Sequence, residues 1–101
     1  MEKINNHYAA RKENIIWNRL DDMVMVIFSE NEKDRVFNLN KTAGLIWEQC
    51  DGTKTIQEIA QDVCTAYEIE QDAALEDTIV CINDFQAKNI ITLTNAKNQS
   101  T

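Results

Sequence analysis

Proline is absent from this chain and glycine occurs only twice, as Gly44 and Gly52. That scarcity excludes collagen-like, loop-dominated and low-complexity architectures. Histidine occurs once, as His7 in a polar N-terminal stretch with no partner in sight. No Ser-His-Asp set and no phosphate-cradling glycine loop can be assembled, so no catalytic residue is expected. Cations are also few: 10 basic against 17 acidic side chains give a net charge of −7, with no basic run. A phosphate backbone would be repelled, and nucleic acid is not an expected partner. No apolar run approaches the ~20 residues that cross a bilayer. The opening Met1-Glu-Lys-Ile-Asn-Asn has no secretory character. No membrane role and a cytoplasmic location are therefore expected. The three cysteines, Cys50, Cys64 and Cys81, match no zinc or iron–sulfur spacing, and their odd number argues against a disulfide scaffold. They read as small buried hydrophobes in a reducing compartment, with no metal and no cofactor expected.

What is present is enough apolar character, 44% of 101 residues, for one compact domain with a modest core. Residues 1–13 are polar and of mixed charge, and read as an N-terminal arm. Residues 14–94 hold the patterned segments, and 95–101 read as a flexible tail. Ile15-Ile-Trp-Asn18 is a short strand candidate, and Leu20-Asp21-Asp22 supplies turn chemistry. Met23-Val-Met-Val-Ile-Phe28 is a β-branched apolar run of strand length; Met23 and Met25 are read as packing residues. After a polar connection, Arg35-Val-Phe-Asn-Leu39 reads as a third strand, with Phe37 and Leu39 on one face and Val36 on the other. Three such segments this close together form an antiparallel meander.

The second half has helical spacing. Asn40 is placed to cap a helix whose Ala43, Ile46, Trp47 and Cys50 recur on one face, with Trp47 read as core. Asp51-Gly52 reads as its stop. Thr55 and Glu58 form a capping box for a second helix carrying Ile56, Ile59, Ala60, Val63 and Tyr67 on one stripe. Glu70-Gln-Asp72 opens a third helix, with Asp72 as the expected cap and Leu75, Ile79, Ile82 and Phe85 as the expected core stripe. Asn89 suits a left-handed helix end, and Ile90-Ile91 dock back on the core. The fold class is α+β: a winged helix-turn-helix-like chain with a three-stranded antiparallel sheet followed by three α-helices.

The order and spacing of these pieces carry a resemblance. Leu39-Asn40-Lys41-Thr42-Ala43, Ile46-Trp47, Asp51-Gly52, Thr55-Ile56-Gln57-Glu58-Ile59 and Asn89-Ile90-Ile91 together resemble the PqqD family, over residues 15–93. The N-terminal part matches in pattern only, and Asn89 stands where the family pattern has glycine. The resemblance implies a non-catalytic recognition element for ribosomally made, modified peptides. Such a domain binds the leader segment of a precursor and presents it to a maturation enzyme. In the pyrroloquinoline-quinone pathway that enzyme is a radical S-adenosylmethionine protein; in related systems it is a cyclodehydratase or a leader peptidase. The leader is implied to add as a strand to the sheet edge, in a cleft walled by the last helix.

An edge strand offers unpaired N–H and C=O groups that satisfy an extended peptide of any sequence, so selectivity falls to neighbouring side chains. Here the implied edge is Arg35, Val36, Phe37, Asn38 and Leu39. The implied wall is Thr78, Cys81, Phe85 and Lys88, which follow one another on the flank of the third helix. Arg35 and Lys88 would pair with leader acids and set register. Phe37, Cys81 and Phe85 would line an apolar anchor pocket, although core packing is the ordinary role of such a phenylalanine. An unoccupied edge would also pair with a second copy, giving a homodimer that competes with peptide.

The alternative function is a winged-helix DNA-binding regulator. The three-helix order fits it. The charge of residues 73–88 does not, since Lys88 is their only cation beside Glu76, Asp77 and Asp84.

Overall fold

The computed structural model of the chain describes residues 4–95. A short 3-10 turn, Ile4–Asn6, leads into strands β1 (Tyr8–Arg11), β2 (Ile15–Leu20), β3 (Met23–Glu30) and β4 (Lys33–Leu39). Helix α1 (Lys41–Gln49), strand β5 (Asp51–Thr55), helices α2 (Ile56–Tyr67) and α3 (Gln71–Ala87) and strand β6 (Ile91–Thr94) follow. The strands make two three-stranded antiparallel sheets, ordered β2-β3-β4 and β5-β1-β6.

The first sheet is the expected meander, and the two turns set its register. In the second turn Asn31 and Glu32 both have positive φ, 54° and 64°. Two such residues between the paired Glu30 and Lys33 form a type I′ hairpin, whose twist matches that of the flanking strands. One face of β3, Val24, Val26 and Phe28, is buried against Ile46 and Trp47 of α1 and the apolar stripes of α2 and α3. The opposite face leaves Ile16, Leu20, Met23 and Val36 exposed.

The helix starts follow the expected chemistry. The Asn40 side chain accepts from the backbone N–H of Ala43 at 2.9 Å. Thr55 and Glu58 close the capping box, with Glu58 accepting from the Thr55 N–H and Thr55 from the Glu58 N–H. Gly44 marks where α1 crosses β3: a Cβ there would lie 2.9 Å from Val24 Cγ2. Glycine is what allows the two backbones to approach so closely.

Four expectations are corrected. Tyr8–Arg11 lies within the segment read as an arm, yet it is the middle strand of the second sheet, paired with both β5 and β6. Its Arg11 donates to the carbonyls of Trp47 and Glu48 at 2.8 and 3.0 Å, satisfying the open end of α1. Asp51-Gly52 does not simply stop α1; it begins β5, where Gly52 (φ 84°) sits in an irregularity of the β1 pairing. Asp72 is not the cap of α3: Glu70 occupies that position and makes no side-chain cap bond. The buried stripe of α3 is Ala74, Thr78, Ile82 and Phe85, while Leu75 and Ile79 are half-buried. α3 lies along α2, and Ala74 and Thr78 are small enough for a close approach that Leu75 and Ile79 would prevent. Of the expected tail, residues 96–101 lie outside the described residues.

Candidate functional site

Among the described residues β4 pairs with β3 on one side and with no strand on the other. The register decides which backbone groups are left over. A type I′ hairpin closes on a pair that exchanges both hydrogen bonds, here Glu30 and Lys33, and antiparallel pairs then alternate. Arg35, Phe37 and Leu39 therefore direct their N–H and C=O groups at Phe28, Val26 and Val24, their register partners. Asp34, Val36 and Asn38 direct theirs to the open margin. Side chains alternate independently of this, so Arg35, Phe37 and Leu39 share the helix-facing side, and Val36 and Asn38 the outer side.

α3 runs beside that margin in the opposite sense to β4. The Lys88 ammonium lies 5.2 Å from the centre of the Phe37 ring, a cation–π contact at the hairpin end of the cleft, and it also pairs with Asp84. At the other end, where β4 passes into α1, Asn40 and Thr42 face Asp77, Val80 and Cys81 of α3 across an open hollow of about 280 Å³. The result is a cleft with an open strand edge on one side and a helix flank on the other.

The nine residues expected here separate into two groups. Phe37 and Lys88 meet at one end of the cleft, Cys81 lines the hollow at the other, and Arg35, Val36 and Asn38 belong to the strand that forms its margin. Arg35 is exposed, with Glu30 4.0 Å away. Leu39 is 4% exposed and offers no side chain to a ligand. Thr78 is buried and its hydroxyl donates to the Ala74 carbonyl at 2.7 Å, so it is a helix-packing residue. Phe85 is fully buried edge-on to Trp47, with ring centres 5.6 Å apart, and belongs to the core. The shift of α3's buried stripe from Leu75 and Ile79 to Ala74 and Thr78 accounts for Thr78, whereas Phe85 lies on the expected and the observed stripe alike. The shift also brings Asp77 and Val80 to the cleft; Val80 is 62% exposed. An apolar residue lying off the buried stripe was the signal for it.

Cys50 and Cys81 are not poised for chemistry. Burial pushes the Cys50 thiol up to about 12, and it donates to the Ile46 carbonyl. Burial, with Asp77 and Asp84 nearby, pushes Cys81 up to about 11. Both remain neutral thiols at physiological pH. Among the described residues no group of three His, Cys, Asp or Glu side chains is placed to hold a metal ion, and no helix is long and apolar enough to cross a membrane. A roomier hollow of about 430 Å³ lies between β6 and the β1–β2 connection, lined by Ala10, Arg11, Lys12, Glu13, Asn14 and Thr92. It lies against β1, which is paired on both sides, so β1 offers no open edge there.

No curated protein sequence matches the chain. Among solved structures the chain is similar to TbiB1 in complex with the TbiA(beta) leader peptide. The TM-score is 0.71 at 17% identity, over 81% of this chain and 93% of that one, which establishes a shared fold. The family model described as coenzyme PQQ synthesis protein D (PqqD) matches residues 24–91, the larger part of the chain, and the chain belongs to that family.

Proposed function

We propose that this protein binds the leader segment of a ribosomally synthesised precursor peptide as an added strand on β4 and presents it to a maturation enzyme. The observation that carries this is the open margin of β4 facing the flank of α3. The leader peptide carried by the similarly folded TbiB1 complex supports it. Val36 and Asn38 offer two N–H and two C=O groups, enough for about four backbone bonds of ~0.5–1.5 kcal/mol each. Micromolar binding requires about −8 kcal/mol, and association itself opposes by several. Side-chain anchors must supply the remainder. Phe37, Val80 and Cys81 provide the apolar surface, and Arg35 and Lys88 provide positive charge at the hairpin end.

In this reading the domain is not itself a catalyst. It acts in the cytoplasm beside an enzyme of the radical S-adenosylmethionine class or a comparable maturase, and without a cofactor of its own. A homodimer through the β4 edge would use the same open groups, so oligomer and peptide would compete. Binding to DNA is disfavoured by α3, the helix that would enter a groove: its exposed Asp72, Glu76, Asp77 and Asp84 would face a polyanion.

Calorimetric titration with the leader of a short precursor peptide, sought among the open reading frames beside this gene, tests the proposal. Saturable binding at micromolar concentration is expected, with loss of any dimer on size exclusion. Absence of binding to that leader would overturn it.

A further inference from the structure

The cleft does not end where β4 does. Val80 borders the hollow beside Asn40 and Thr42 and also a second one of about 270 Å³. The second hollow is lined by Leu75, Ile79 and Val80 and flanked by Asp72 and Glu76. Leu75 and Ile79 are half-buried, and Val80, Asp72 and Glu76 are exposed. The ion pairs of the described residues engage neither Asp72 nor Glu76. The hollow is thus apolar in its floor and uncompensated in its negative rim.

We propose that this hollow is a second seat for the same bound peptide, taking an apolar side chain flanked by lysine or arginine from the stretch just N-terminal to the strand-paired segment. The inference rests on the reading that a leader adds to β4. Every strand pair among the described residues is antiparallel, and an added strand of the same kind runs against β4. Its N-terminal end then lies beside Leu39 and leaves the sheet past Asn40 and Thr42, over Val80. From Val80 back to Asp72 is eight residues of helix, about 12 Å. About four extended residues cover that distance. The upstream stretch therefore reaches the second hollow without a break, and its charge must complement two acids. The downstream end leaves at the β3–β4 hairpin, beside Arg35 and Lys88. Arg35 and Lys88 already face Glu30 and Asp84, so the uncompensated charge lies at the upstream end, which opposes a reversed peptide.

The test uses the whole protein to select from a display library of random 18-residue peptides. The selected peptides are then titrated against the wild type, Asp72→Lys/Glu76→Lys, Val80→Asp and Val36→Pro, with circular dichroism confirming each fold. All but the last change exposed helix positions. Peptides with an apolar residue between basic ones, N-terminal to a β-branched stretch, are expected. Asp72→Lys/Glu76→Lys should weaken them about five- to tenfold, as two exposed charge pairs imply, and that loss should shrink in high salt. Selected peptides that weaken on Val36→Pro but ignore Asp72→Lys/Glu76→Lys and Val80→Asp would overturn the second seat while leaving strand addition intact. A basic-apolar stretch found C-terminal to the paired segment would overturn the direction. Peptides indifferent to Val36→Pro, or no selected peptide at all, would remove the reading on which the seat rests.

Discussion

Proline at position 36 should separate peptide binding from folding. The Val36 N–H faces the open margin of β4, because Phe37 and Arg35 carry the bonds to Val26 and Phe28 in this register. Val36 is 54% exposed, so its side chain contributes little burial. Proline there removes no ladder bond and occupies an edge position where strands tolerate it. The expected stability loss is within about 1 kcal/mol, a fall in Tm of no more than about 8 °C. Binding should respond differently. One backbone bond to the leader is lost, a leader carbonyl is left without its donor, and the ring stands where the added strand must approach. A penalty of about 2 kcal/mol follows, roughly thirtyfold in Kd. Val36→Ala, which keeps the N–H, should bind within about threefold of wild type. Phe37→Pro should instead cost about 3 kcal/mol of stability, since it deletes the donor to Val26. Calorimetry with the leader and thermal melts of all three variants measure this. A folded Val36→Pro protein binding as tightly as Val36→Ala would refute the assignment of the open margin.

Gly44→Ala should be destabilising by about 1 kcal/mol, because overpacking against Val24 at 2.9 Å outweighs the gain in helix propensity. In a Val24→Ala background the same change should become stabilising by about 1 kcal/mol; denaturant melts of the four-member cycle read the sign reversal, and its absence contradicts the contact. Glu32→Gly should raise stability by about 0.5–1 kcal/mol, since glycine relieves the left-handed φ of 64° at Glu32; a lower Tm would argue against the type I′ turn. Cys81, whose thiol is raised to about 11, should react with iodoacetamide at pH 7.5 about a hundredfold more slowly than a free thiol. Its rate should climb tenfold per pH unit until the thiol titrates, and a plateau near pH 9 would show that burial, with Asp77 and Asp84 nearby, does not suppress the thiolate.

Local chemistry made much of this fold legible. Asn40 and the Thr55–Glu58 box are bonds between residues three apart, and Asn89, with φ of 62°, is a single-residue conformational choice. Met23–Phe28 is strand-like because β-branched residues suit a pleated surface wherever it packs. The features that escaped depend on distant partners. Tyr8-Ala-Ala-Arg11 has little strand propensity, and becomes a strand because β5 and β6 meet it from both sides. β5 was hidden by an Asp-Gly pair that terminates helices elsewhere. In α3 the larger apolar residues, Leu75 and Ile79, appeared to define the core stripe, whereas packing along α2 selected Ala74 and Thr78. Pattern reads hydrophobicity, but a helix interface also selects for volume. That one-position error placed Thr78 in the cleft and left out Asp77 and Val80, while Phe85, already on the expected core stripe, stayed in the core. The meander alone makes β2 and β4 edge strands, whichever side chains they carry; the choice of β4 came from the family resemblance.

Amide exchange of the uniformly labelled protein, with and without a saturating leader peptide, tests strand addition most directly. In the free chain the amides of Arg35, Phe37 and Leu39 should exchange slowly, and those of Val36 and Asn38 fast. On binding, Val36 and Asn38 should slow at least about tenfold, as each gains a backbone acceptor. Val36 and Asn38 already protected in the free chain, or unchanged when the peptide saturates, would contradict the account.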